Sequence, residues 1–196
     1  MRAADVTLAI LVGGRGRRLG GRAKGLIRLG DQTILERQLA TLRPLVSRVT
    51  LIGAGEGYEQ LGVDQLPDVR AEKGAPGGVV TALLSAPTRW VLVIACDMPA
   101  VSRAMVERLL GARSRGVEVV CFRRAGGAEP LCALYRAALG RRWVTRLDEE
   151  PSLRALLETA RVVQLRPGAP KRLDSVNTRT DLRRARASFR AKVSAR

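Results

Sequence analysis

Apolar residues fall along the chain in short uninterrupted runs that alternate with helical patterns. Thr7 to Val12 (TLAILV) is the first run; it closes on glycines and reads as a strand buried on both faces. A Gly- and Arg-rich loop follows, and Thr33 then precedes Glu36 at the spacing of a capping box. Ile34, Leu35, Leu39 and Leu42 share one face of the resulting helix, which Pro44 stops. Val49 to Ile52 reads as a second strand, Gly77 to Ser85 as a second helix, and Trp90 to Ala95 (WVLVIA) as the strongest buried strand. Ser102 is placed to cap a helix through Leu110, while Val117 to Phe122 and Leu131 to Tyr135 read as further strands. Pro151 suits the first turn of a helix through Thr159, Val162 to Leu165 is strand-like, and a basic amphipathic helix starts at Asp181. Within it, Leu182, Ala185 and Phe189 form a narrow apolar stripe expected to dock on the sheet.

This repeated βα alternation predicts an α/β fold: a doubly wound, mainly parallel sheet with helices on both faces, joined by right-handed crossovers. Ligands then bind beyond the carboxyl ends of the strands. The length of 196 residues and the lack of an internal repeat predict one domain over residues 1–196, with a basic helix or tail at 183–196. Arg166 to Arg172 (RPGAPKR) reads as a surface loop.

Composition narrows the chemistry. Histidine is absent, which excludes a Ser-His-Asp triad, a Cys-His dyad and any His-ligated metal. A metal would be held by hard carboxylate oxygens, which select Mg2+ over Zn2+. The net charge of +17 suits an anionic substrate as well as nucleic acid. Only 3% of residues are aromatic and no helix-turn-helix, RNP or zinc-finger pattern accompanies the charge, so nucleic acid is not the expected partner. Cys96, Cys121 and Cys132 lie in apolar surroundings without a C-x-x-C pair and read as buried reduced thiols. No stretch approaches the ~18 apolar residues of a membrane span. The first residues carry no leader pattern, so the expected location is the cytoplasm.

The loop from Leu11 to Lys24 (LVGGRGRRLGGRAK) follows the first strand directly, where bare amides could wrap a triphosphate. It is not a Walker loop, because there is no G-K-[ST], and Leu19 stands where a dinucleotide fingerprint needs its last glycine. Ala95-Cys-Asp-Met-Pro99 ends the strongest strand, where the Asp97 carboxylate could coordinate Mg2+ on a turn stiffened by Pro99. Strand, paired glycines, Arg18-Leu-Gly, Lys24 and this C-D-x-P turn together resemble the nucleotidyltransferases, and most of all the molybdenum cofactor guanylyltransferases. Gly74-Ala-Pro-Gly-Gly78, Glu129-Pro-Leu to Tyr135-Arg136, and Val176-Asn-Thr178 with Asp181-Leu182 extend the resemblance over most of the chain.

The resemblance implies transfer of GMP from GTP to the terminal phosphate of Mo-molybdopterin, forming the guanine dinucleotide cofactor and pyrophosphate. It places Leu11, Val12, Gly13 and Gly14 along the nucleotide, Lys24 and Arg18 on the triphosphate charge, Asp97 on Mg2+, Asp68 before the G-P-L element, and Asn177 near the metal or pterin. Molybdoenzyme apoproteins or their chaperones are the implied recipients. Departures concern the substrates more than the reaction. Glu129 replaces a histidine near the acceptor and is expected either to alter acceptor choice or to make a solvated pair with an arginine; Ile52 or Gly53 stands where a nucleotide-contacting asparagine is often found; Ser175 and Arg179 replace an asparagine and a proline. Cytidylyl transfer to the same pterin, and sugar-phosphate nucleotidyl transfer, use the same sheet and metal. Gly13-Gly14 favours guanine, because the related cytidylyltransferases usually read L-A-A-G. A non-catalytic nucleotide- or nucleic-acid-binding protein is the alternative from outside enzymology, and retention of Lys24 and Asp97 argues against it.

Overall fold

The computed structural model describes residues 5–13, 23–149, 151–168 and 173–193. β1 (Val6–Leu11) is buried along its whole length: Val6, Leu8 and Ile10 pack into the core on one face of the sheet, Ala9 and Leu11 into the core on the other. A 3-10 turn (Lys24–Leu26) leads into a hairpin that periodicity does not reveal, β2 (Arg28–Leu29) with β3 (Gln32–Thr33). Gly30 takes the left-handed conformation its two-residue turn needs, at φ 72°. The expected capping box then opens α1 (Ile34–Leu42). Thr33 Oγ1 accepts from Glu36 N at 3.1 Å and the Glu36 carboxylate accepts from Thr33 N at 2.6 Å. These bonds hold the Glu36 carboxyl below its ordinary range.

β4 (Arg48–Ile52) and the two-residue β5 (Gln65–Leu66) lead to α2 (Gly74–Ser85), β6 (Trp90–Ala95) and α3 (Arg103–Gly111). β7 (Val119–Arg124), β8 (Gly127–Arg136), α4 (Leu139–Trp143), α5 (Leu153–Glu158), β9 (Val162–Leu165) and α6 (Arg179–Val193) complete the order. The large sheet runs β5-β4-β1-β6-β8-β7-β9. β1 is parallel to β4 and β6, β4 to β5 and β7 to β9; β8 alone runs antiparallel, between β6 and β7. α1 and α3 cover one face, α2, α4 and α5 the other. The fold is therefore the doubly wound, mainly parallel α/β sheet the alternation predicts. Among the described residues no helix is long and apolar enough to cross a membrane.

Several boundaries differ from the sequence reading. α2 opens at Gly74 rather than Gly77, since Pro76 falls in a first turn that needs no donor from it. β7 begins at Val119 rather than Val117, because Val117 N donates to Ser114 O at 3.3 Å and closes a turn through the positive-φ Gly116. Pro151 stands before α5, not within it; the cap is Ser152, whose Oγ accepts from Ala155 N at 3.1 Å. α6 starts at Arg179 rather than Asp181, because Thr178 and Asp181 cap it reciprocally. Thr178 Oγ1 accepts from Asp181 N at 3.1 Å and the Asp181 carboxylate from Thr178 N at 2.9 Å. The apolar stripe of α6 docks not on the large sheet but on Ile27, Leu29, Ile34 and Val176, around the small hairpin. Arg37 stacks on Phe189 there, 4.1 Å from the ring centre. Of the segment 166–172, residues 169–172 lie outside the described residues. All three cysteines are free and buried, and burial pushes the Cys121 thiol up to about 11 and the Cys96 thiol up to about 12.

Candidate active site

The chain leaves β1 for β4 on one side and returns to β6 on the other, with α1 and α2 on opposite faces. A crevice must therefore open at the carboxyl end of β1. It is a cleft of about 310 Å³. Leu11, Val12 and Gly13 bring it the end of β1, Ile52 the end of β4, Ala95 to Asp97 the end of β6, and Leu131 a wall from β8. Lys24, Asp68 and the first turns of α2 at Gly74, Ala75 and Gly78 close it.

Two glycine backbones meet at its floor. A Cβ on Gly53 would lie 2.6 Å from Gly13 N and 2.8 Å from Gly13 Cα, and Gly53 sits at φ 112°. No side chain fits at 53 unless the Gly13 backbone shifts. Gly53 N donates to Leu66 O at 2.8 Å, so the little strand β5 locks this approach.

Asp68 stands between the two glycine-rich elements. A Cβ on Gly13 would lie 3.5 Å from Asp68 Oδ2, and one on Gly78 would lie 3.5 Å from Oδ1. Both glycine backbones thus lie at van der Waals distance from the carboxylate. Oδ1 is buried without a hydrogen-bond partner, and desolvation raises the Asp68 pKa.

Asp97 is held from behind. Cys96 N donates to Leu11 O at 3.1 Å, extending the β1–β6 ladder by one bond. Gln38, a buried polar residue of α1, donates from Nε2 to Ala95 O at 2.9 Å and to Met98 O at 3.0 Å, clamping both ends of the Asp97 turn. The sequence reading misses Gln38, because a lone glutamine inside a helix announces no partner. Lys24 Nζ donates to Asp97 Oδ2 at 3.0 Å and to Asn177 Oδ1 at 2.5 Å, so residues 73 and 153 positions apart meet at one ammonium. The Lys24 and Asp97 side chains are only 24% and 15% exposed, which makes this more than a solvent-screened surface pair. Asn177 arrives because Val176 N donates to Asp97 O at 2.8 Å and Asp181 accepts from Asn177 N at 3.2 Å. The Thr178 hydroxyl, then the Asn177 amide, hold the Asp181 carboxyl below its ordinary range.

Glu129 does not make the solvated pair expected of it. It is 8% exposed, and its Oε2 accepts from Arg124 Nη1 at 2.8 Å in a part-buried bond. Gly14 and Arg18 lie outside the described residues. The structure thus gathers Leu11, Val12, Gly13, Lys24, Asp68 and Asp97 at one cleft, and brings Asn177 to Lys24.

A doubly wound sheet that brings the end of its first strand, Lys24 and the turn after its central strand to the switch point has the crevice of a ligand-binding α/β protein, and family membership makes it a nucleotidyltransferase. Residues 8–167 match the MobA-like NTP transferase domain, and the chain belongs to that family. A molybdenum cofactor guanylyltransferase of Pseudomonas aeruginosa (strain LESB58) is 32% identical over 181 residues, 88% of this chain and 90% of its own length. A probable molybdenum cofactor guanylyltransferase of Carboxydothermus hydrogenoformans is 32% identical over 135 residues, 69% of this chain and 68% of its own. Among solved structures, molybdopterin-guanine dinucleotide biosynthesis protein A from Archaeoglobus fulgidus superposes with a TM-score of 0.79 at 24% identity, over 94% of this chain and 99% of its own. The 2-C-methyl-D-erythritol 4-phosphate cytidylyltransferase of Thermus thermophilus superposes at 0.70 with 18% identity, over 93% and 98%. At these identities the two structures share the fold.

Proposed function

We propose that the chain transfers GMP from GTP to the terminal phosphate of Mo-molybdopterin, releasing pyrophosphate and leaving the dinucleotide form of the cofactor. The observation that carries the guanine assignment is Asp68, a cleft-lining carboxylate with one oxygen buried and unpaired. Guanine offers two adjacent donors, N1–H and the exocyclic amino group, which a carboxylate accepts as a pair. Cytosine offers one donor beside an acceptor nitrogen that the carboxylate repels. That difference favours guanylyl over cytidylyl transfer on this site.

The acceptor phosphate is already anionic, so its oxygen attacks the α-phosphorus of GTP without a strong general base. One P–O bond forms as the bond from the α-phosphorus to the bridging oxygen breaks, and pyrophosphate leaves with that electron pair. The protein's part is alignment and charge stabilisation. Lys24 presents its ammonium to the phosphates, with Arg18 joining it by resemblance, while Leu11 to Gly14 align the nucleotide. Among the described residues no group of three or more His, Cys, Asp or Glu is gathered as a metal site. Asp97 and Asn177 instead aim two hard oxygens at the Lys24 ammonium. So sparse an oxygen set suits Mg2+, which keeps waters and shares phosphate oxygens. For Asp97 and Asn177 to hold the ion, they would release the Lys24 ammonium to the phosphates, and the ion would supply charge neutralisation on the triphosphate. We place the reaction in the cytoplasm, in one domain spanning residues 1–196. The recipient molybdoenzyme apoprotein or chaperone would meet the exposed Arg183, Arg184 and Arg186 of α6.

Pyrophosphate release, measured with each NTP in turn and with or without Mo-molybdopterin, tests the reading. Turnover with GTP that depends on the acceptor is expected. Preferential use of CTP would reassign the base. No Mg-NTP binding, together with salt-steep DNA binding, would replace enzyme by nucleic-acid binder.

A further inference from the structure

Glu129 is the sole charged side chain among the buried described residues. A buried carboxylate persists only when its oxygens are paired. The pairing of β7 with β8 shifts from Cys121 opposite Ala133 to Phe122 opposite Glu129, leaving Pro130, Leu131 and Cys132 in a bulge toward β7. Leu131, on that bulge, is the cleft wall contributed by β8. Glu129 Oε1 accepts from the Leu131 N–H at 3.1 Å, and Oε2 accepts from Arg124 Nη1 at 2.8 Å. A neutral imidazole has a single acceptor nitrogen and could not take both bonds.

Arg124 has further partners on a different segment. Its Nη1 also donates to Leu173 O at 3.0 Å, and its Nη2 reaches Asp174 Oδ1 at 3.3 Å. Leu173 is fully buried, and the segment it starts runs on to Val176 and Asn177. Those two residues tie to Asp97 O and to Lys24. One guanidinium thus joins the bulge wall to the strand of chain that delivers Asn177.

We propose that Arg124 is a positioning residue: paired with Glu129, it fixes residues 173–177 so that Asn177 meets Lys24 and Asp97 in register with the Leu131 wall. The proposal rests on the nucleotidyl-transfer reading for its effect on rate, but not for its effect on the segment.

The test compares Arg124→Met with Arg124→Met/Glu129→Gln, reading thermal melting, hydrogen exchange of the Val176 amide, and GTP-dependent pyrophosphate release. Arg124→Met strands a buried carboxylate, so it melts earlier, exchanges Val176 faster and turns over more slowly. The double variant removes that charge and recovers its melting temperature. Its Val176 amide still exchanges roughly tenfold faster than wild type, and kcat stays low while KM for GTP is near normal. Arg124→Lys, able to reach one acceptor at a time, falls between. Recovery of wild-type exchange and kcat in the double variant would overturn the proposal, leaving Arg124 as a mere counter-ion. Absence of turnover in the wild-type protein would overturn the functional reading instead, while Val176 exchange would still decide the role of Arg124.

Discussion

Asp68 lines the cleft and Glu129 lies behind its Leu131 wall, bonded to the Leu131 amide, and the protein treats these two carboxylates differently. Glu129 spends both oxygens on its own chain, one on a bulge amide and one on Arg124. Asp68 keeps Oδ1 buried and unpaired, with the backbones of Gly13 and Gly78 beside it. A satisfied buried carboxylate holds structure together, whereas an unsatisfied one is complete only with a ligand. The nucleotide side of the cleft thus carries a vacant acceptor and close glycine backbones, and the β7–β8 side a closed network.

Substituting on the nucleotide side should cost function before stability. Asp97→Asn is expected to reduce nucleotidyl transfer roughly a thousandfold by removing charge rather than volume. Its thermal melt should stay close to wild type. Unchanged turnover in saturating Mg2+ would remove Asp97 from the mechanism. Gly53→Ala breaks the same side through the backbone, because its Cβ would collide with Gly13. Clash and positive φ together should cost about 2 kcal/mol, lowering the melting temperature by roughly 4–8 °C, and should weaken GTP binding. A variant as stable as wild type would show that the two loops have slack.

The smallest effect separates the regions by pH. Burial raises the Asp68 pKa, so the folded state favours its protonated form, and the stability this contributes is lost as pH rises through the raised value. Guanine needs the ionised form, so KM for GTP should increase on acidification, beginning above the ordinary aspartate range. Asp68→Asn should flatten that limb. Asp181, at the start of α6, has the opposite sign. Its carboxyl is held low by the Thr178 hydroxyl and the Asn177 amide, so its contribution persists into acid and is lost only as pH falls through the lowered value. Melting followed by helix signal and KM followed by turnover should therefore depart from their neutral values in different pH windows.

What the sequence disclosed follows from the same physics. β1 and β6 are legible as apolar runs because strands covered on both faces need no polar positions. The α1 cap is legible because Thr33 and Glu36 are local partners. β5 contributes only Gln65 and Leu66 and leaves no pattern, and the antiparallel course of β8 depends on which neighbours it finds, which periodicity does not encode. Lys24, Asp68 and Asp97 were reachable through motif resemblance. Gln38 and Arg124 were not, since their roles come from acceptors 57 and 49 positions away in sequence. Glu129 misled because an arginine-rich chain suggests solvated pairing, whereas the bulge at Leu131 draws its carboxylate inward.

The most direct test of the central claim is the ratio of kcat/KM for GTP to that for xanthosine triphosphate, in wild type and Asp68→Asn. Xanthine replaces the guanine amino group with an acceptor oxygen, and an asparagine amide matches that pattern where a carboxylate does not. The account predicts that wild type prefers GTP and that Asp68→Asn loses roughly a hundredfold with GTP while gaining activity with xanthosine triphosphate, the scale expected when buried polar pairings are exchanged. An unchanged ratio in Asp68→Asn would contradict it, and Asp68 would then be a carboxylate that does not read the base.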